Sequence, residues 1–133
     1  MKQILFSFAA IIAFTGCEPG YRIYLRNNSS SDLFVKTNPS IESLYDSHSS
    51  YVDSIVTYKL KQESGYSFYK LKVHDTLMIW GNIGDKPTLG EMPFNYIAFI
   101  NGVNTMILDS KAKIINQLKK LDKRRSFYIE IMK

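Results

Sequence analysis

Cysteine is almost missing from this chain: Cys17 is the only one in 133 residues. That excludes an intrachain disulfide framework and any zinc site built from several thiolates. Glycine and proline are sparse, at 7 and 4, which excludes a collagen-like or Pro/Gly-rich low-complexity chain. With only His48 and His74 to offer imidazole, a closed zinc site would need several carboxylates. No D-x-[DN]-x-[DN]-G calcium loop occurs, and no serine sits in a G-x-S-x-G elbow. The one glycine-rich stretch, Gly81-Asn82-Ile83-Gly84-Asp85-Lys86, lacks the phosphate-loop spacing and runs into Pro87 where a helix should start. Neither charge sign dominates: 17 Lys+Arg face 12 Asp+Glu, too mild an excess for a nucleic-acid binder. No cofactor is expected. What remains, 45% hydrophobic and 14% aromatic residues, is enough for one small folded core.

The amino end carries an address. Met1-Lys2-Gln3 supplies a positive charge, and Ile4 to Phe14 is apolar except for Ser7. A charged start, a short apolar run and small residues before a break describe a secretory signal. The run is too short for a bilayer, which takes about 20 residues. It closes on Phe14-Thr15-Gly16-Cys17. This resembles the lipobox of bacterial lipoproteins, with Phe14 standing where leucine is commonest. The resemblance covers residues 1–17 and implies cleavage before Cys17, diacylglycerol on its thiol, and acylation (palmitate or a similar chain) of the freed amine. Two or three chains anchor stably where one, at about 0.8 kcal/mol per buried methylene, binds only marginally. It further implies a cell-envelope location, with the outer membrane as the default and the face left open. The expected organisation is a cleaved signal over 1–16, a lipidated tether over 17–20 and a single β-rich domain over 21–133.

Within that domain the apolar period is mostly two. Tyr21, Ile23 and Leu25 alternate with Arg22, Tyr24 and Arg26, a half-buried strand. After the turn residues Asn27 to Asp32, Leu33 to Lys36 resumes, so 21–37 reads as a hairpin. The overlapping Asn-x-Ser sequons there read as turn chemistry in a bacterial envelope. Asn38-Pro39 opens a candidate short helix to Tyr45. Residues 54–61 alternate, Tyr66 to Val73 is an aromatic strand candidate, and Leu77 to Trp80, apolar on both faces, reads as central or covered. Gly81 to Pro93 is a loop. Phe94–Ile100 and Val103–Leu108 flank Asn101-Gly102, which suits a two-residue type I′ turn. From Lys111 to Lys123 the period changes: Ile114, Ile115, Leu118 and Leu121 make one helical stripe, with Asp109 or Ser110 as cap. Phe127 to Met132 alternates again. The sum is a mainly β fold, an antiparallel sandwich or open barrel of about seven or eight strands with one amphipathic C-terminal helix over 111–123.

Few groupings suggest chemistry. Asp46-Ser47-His48-Ser49-Ser50 collects an acid, an imidazole and hydroxyls, yet these are also the tenants of a solvated turn, and sequence-adjacent residues rarely form a triad. His74-Asp75 reads as a turn pair, and Glu42/Asp46 is the only acidic i, i+4 pair on a candidate helix. Between Lys111 and Arg125 seven basic residues stand against one acid, Asp122. Lys113, Lys119, Lys120, Lys123, Arg124 and Arg125 are a candidate contact surface for anionic lipid or an acidic protein, though cations also sit well near a helix C-terminus as a solvated face. Tyr66, Phe68, Tyr69 and Trp80 are a candidate aromatic platform for sugars; the competing role is core packing. No nucleic-acid partner is expected. The reading is a lipid-anchored, non-enzymatic binding or accessory domain. Its alternatives are a small inhibitor or immunity-type protein that binds an acidic partner, and an envelope hydrolase using His48 or His74.

Overall fold

The computed structural model describes residues 20–120 and 125–132. Residues 1–19, which hold the signal, the lipobox and Cys17, lie outside the described residues, as do 121–124. The described chain folds into two packed sheets. The first has the order β5-β1-β9-β8 and the second β3-β4-β2-β6-β7, with β1 Gly20–Asn27, β2 Leu33–Asn38, β3 Lys59–Glu63, β4 Tyr66–Leu71, β5 Thr76–Ile83, β6 Tyr96–Asn101, β7 Asn104–Leu108, β8 Lys119–Lys120 and β9 Ser126–Ile131. This is the expected mainly β sandwich.

Alternation places the core. Tyr21, Ile23 and Leu25 of β1 turn inward against Leu33 and Val35 of β2, Tyr69 and Leu71 of β4, and Ile97 and Phe99 of β6. All nine are essentially buried. Neighbouring strands run antiparallel except β1 and β9, which are parallel from Arg22↔Ser126 to Asn27↔Ile131.

The β1–β2 hairpin expected from sequence does not form. β1 pairs with β5 and β9, while β2 pairs with β4 and β6. The connection instead crosses from one sheet to the other, and Asn27 fixes the crossing. Its Nδ2 lies 2.9 Å from the Ser31 carbonyl and 3.1 Å from the Leu71 and Lys72 carbonyls, while its Oδ1 accepts from the Ser29 N–H and Oγ. Two strands in one sheet would leave those donors without the β4 carbonyls.

The other connections differ in similar ways. Asn38 is still paired with Tyr96 in β2, so no helix starts there; only a 3-10 turn, Glu42–Leu44, follows. The alternation over 54–61 divides into a helix, α1 Ser50–Val56, and β3. The Ser49 Oγ caps α1 by accepting from the Tyr51 N–H. Only Ile55 of α1 is buried, while Val56 and Leu60, read as one strand face, are both more than half exposed. β5 is an edge strand rather than a central one. Its apolar faces are covered in part by α1, whose Tyr51 hydroxyl donates to the Met78 carbonyl, so the edge is blunted.

Near the carboxyl end, β6 and β7 form the expected hairpin shifted by one residue. Asn101 pairs with Asn104, so the two-residue turn is Gly102-Val103. Gly102 alone of the pair has positive φ, +58°, which fits a type II′ turn with glycine first rather than type I′. The C-terminal helix, α2 Lys111–Gln117, is shorter than the expected 111–123. Ser110 caps it, as expected, through Lys113. Leu118 then turns extended, and Lys119 and Lys120 pair with Tyr128 and Phe127. Pairing the open edge of β9 satisfies backbone groups that two more helical turns would leave bare.

Candidate binding cleft

Strand direction gives the sandwich two poles. β1 runs from Gly20 to Asn27, and β9 runs beside it from Ser126 to Ile131. The Gly20 pole therefore gathers Ile83, Arg125 and the loop after β5, and the far pole gathers Asn27 to Asp32, the β6–β7 turn and Ile131.

A cleft of about 480 Å³ opens at the far pole. That volume lies within the range of small-ligand sites. Leu33, Phe99, Met106 and Ile131 give it an apolar floor, and Ser30, Ser31, Asn101, Asn104, Thr105 and Glu130 a polar rim. The rim is preset: the Ser31 Oγ donates to Asn101 Oδ1 at 2.6 Å, and Asn101 Nδ2 donates to the Ser29 Oγ at 3.2 Å. Glu130 Oε1 accepts from Asn28 Nδ2 at 3.0 Å and from Arg26 Nη1 at 3.3 Å. The Arg26 guanidinium lies 4.2 Å over the Tyr128 ring, which stacks on Tyr24. That stack holds the cation, and through it the carboxylate, in place.

Two sheet edges border the cleft. The carbonyls of Arg125 and Ile131 accept from Arg22 and Asn28, so odd-numbered residues of β9 turn their backbone toward β1 and Glu130 turns away. β8 reaches only Tyr128, leaving Glu130 on an open edge among the described residues. Opposite, the two-residue turn makes Asn101 and Asn104 a mutually bonded pair. Alternation then points the backbone of Thr105 outward from the edge strand β7. Sequence reasoning missed this cleft because its walls come from four separated segments.

The sequence-predicted groups are largely dispersed. Tyr66 and Phe68 share the outer face of the five-stranded sheet with Tyr96, whose ring meets Tyr66 at 5.1 Å, and Lys36 Nζ lies 4.1 Å over Tyr66. Tyr69 instead points into the core and is fully buried, and Trp80 packs beside Tyr45 on the other sheet. The four do not form one platform, because odd and even positions of β4 face opposite ways. Lys119 and Lys120 are exposed on β8. Lys113 pairs with Asp109 at 2.6 Å, and Arg125 with Asp85 at 2.8 Å. Lys123 and Arg124 lie outside the described residues.

His48 and His74 sit in separate exposed turns. Asp46 Oδ1 accepts from the His48 backbone N–H, and Ser49 is spent on the α1 cap. His74 holds positive φ, and its N–H donates to the Asn27 carbonyl. Gly81, Asn82 and Ile83 finish β5 rather than forming a loop. A side chain at Gly20 would meet the Asn82 carbonyl at 2.8 Å, so glycine is needed where β1 and β5 come close.

Glu42 does find partners, though not Asp46. It joins Lys59 and accepts from the Tyr69 hydroxyl at 2.6 Å, while that hydroxyl accepts from the Ile41 N–H. Burial by itself would raise the Glu42 carboxyl, but the bonds from Lys59 and Tyr69 outweigh it and hold the group below its ordinary value. Burial and the Glu42 carboxylate push the Tyr69 hydroxyl upward. This cluster ties the 38–45 connection to the second sheet; it is a staple.

No family model matches the chain, and neither a curated protein nor a solved structure matches it.

Proposed function

We propose that this chain is a lipid-anchored cell-envelope protein, held through acyl chains on Cys17, whose non-enzymatic domain binds an extended peptide segment in the far-pole cleft. The observation that carries the binding half is the pair of open sheet edges, at Glu130 and Thr105, flanking an apolar floor. Outward-facing backbone groups accept an added strand, and alternate apolar side chains of that strand fill the floor. The rim hydroxyls and amides set direction and register. The anchoring half rests on the lipobox, and the outer membrane is its default destination. A separate role for His48 or His74 in hydrolysis has no support in their surroundings, since neighbouring acid and hydroxyl groups serve turns and caps.

Anchoring is tested by fractionation and intact mass. The wild-type chain is expected in membranes with a mature mass starting at Cys17 plus lipid, and C17S in the soluble fraction; an unlipidated Cys17 overturns it. Binding is tested with a displayed library of short random peptides. Enrichment is expected on the wild type and at least a tenfold loss on T105P. Proline there removes only an outward N–H, which an edge strand tolerates. Equal capture by T105P overturns the cleft.

A further inference from the structure

The pole opposite the cleft has its own chemistry. Ile83 and Leu89, in and after the end of β5, are 58% and 55% exposed, large apolar side chains on the loop beside Gly20. Basic groups stand at the same end of the first sheet: Arg22 on β1 opposite Gly81 of β5, Lys86 in the loop, Arg125 just before β9, and Lys120 on β8 opposite Phe127, three strands from Ile83. Arg125 Nη1 lies 3.3 Å from the Gly84 carbonyl, which fixes that guanidinium against the loop. Among the described residues the acids of this loop are engaged, Asp85 by Arg125 and Glu91 by the Thr88 hydroxyl. Gly20 is three residues beyond Cys17, so the tether spans about 10 Å at full extension. An anchor that short holds this pole, and no other part of the domain, at the bilayer surface.

We infer that the Gly20 pole docks on anionic phospholipid, with Ile83 and Leu89 entering the headgroup layer and Arg22, Lys86, Lys120 and Arg125 meeting lipid phosphates. Apolar side chains and cations at one end are the combination that binds an anionic interface. The far-pole cleft then faces away from the membrane, open to soluble or wall-borne segments. This inference rests on the anchored reading for its geometry, while the lipid contact itself belongs to the described residues alone.

The test uses the full-length lipidated protein carrying I83C or V103C, labelled with a polarity-sensitive fluorophore; lipid already occupies the Cys17 thiol. Each form is reconstituted into phosphatidylcholine vesicles with and without phosphatidylglycerol. The label at 83 should shift to the blue with phosphatidylglycerol, lose most of that shift in high salt, and lose at least half of it in K86E/K120E. The label at 103, on the far turn, should remain water-like throughout. Equal emission at 83 in both lipid mixtures, or a larger shift at 103, overturns the inference. Intact mass of the same preparation reads the anchor independently. If it shows no lipid, the anchored reading fails, and the label at 83 on the C17S chain still decides the lipid contact by the same criteria.

Discussion

The two poles of the sandwich solve the same problem in opposite ways. Each must turn strands and pass chain between sheets, yet the far pole satisfies its buried polar groups and the Gly20 pole does not. At the far pole every polar group of fully buried Asn27 is engaged: its side chain in the crossing, its N–H with the Asp75 carbonyl, its carbonyl with the His74 N–H. At the Gly20 end, the hydroxyls of Tyr21 and Tyr45 and the Trp80 indole N–H are buried without a hydrogen-bond partner among the described residues. Burial raises both hydroxyls, Tyr45 to about 12. The far pole, which carries the preset cleft, is stiffened by these hydrogen bonds.

The sharpest way to break the contrast is at Asn27. N27D removes the donors to three carbonyls and places a carboxylate in a fully buried corner. It should cost about 3 kcal/mol, read as a lowered urea midpoint, and should also abolish peptide capture by the cleft. A cost near that of an exposed substitution would show the corner to be dispensable.

The next effect belongs to the staple between the poles. E42Q takes the carboxylate from Lys59, which keeps Gln62, and weakens the Tyr69 bond, at about 1–3 kcal/mol near neutral pH. Because the folded Glu42 carboxyl lies below its ordinary value, its stabilisation is complete above that value and is lost as pH falls through the folded one. Wild type and E42Q should therefore converge as pH drops below about 4. A difference that stays constant with pH would contradict the assignment. Smaller again is G102A, which forces a side chain onto positive φ in the far turn; about 1–2 kcal/mol is expected, with V103A close to neutral because that side chain is fully exposed.

Sequence pattern made part of this contrast legible and left part hidden, for physical reasons. Period two survives in β1 and β4 because one face of each is wetter than the other, so strand existence could be read. Sheet membership could not: whether Asn27 to Asp32 folds back or crosses depends on carbonyls of Leu71 and Lys72, more than forty positions away. Asn27 itself looked like turn chemistry and is a buried hub. The hairpin was legible from Asn101-Gly102, yet either of two adjacent registers suits glycine, and pairing of Asn101 with Asn104 chose the second. The short α1 was missed because Val56, Tyr58 and Leu60 mimic alternation across a helix end. Of the candidate site, only the basic stretch had a local signal; the cleft and the Glu42 staple are assembled from distant residues with none.

The finest probe compares two tyrosines. Tyr69 and Tyr21 are equally deep in the core, at 0% and 1% exposure, but only Tyr69 has partners for its hydroxyl. Y69F should cost about 1–3 kcal/mol, because it leaves the Ile41 N–H and the Glu42 carboxylate short of a bond. Y21F removes a hydroxyl that makes no well-formed hydrogen bond among the described residues, though the Trp80, Glu91 and Asn82 side chains lie near it, and keeps the ring that meets Phe127 edge-on. It should fall within about 0.5 kcal/mol of wild type, or be slightly more stable. Urea midpoints at unchanged m decide it. Equal losses in the two variants would mean that the Tyr21 hydroxyl at the Gly20 pole is as fully bonded as that of Tyr69 in the staple.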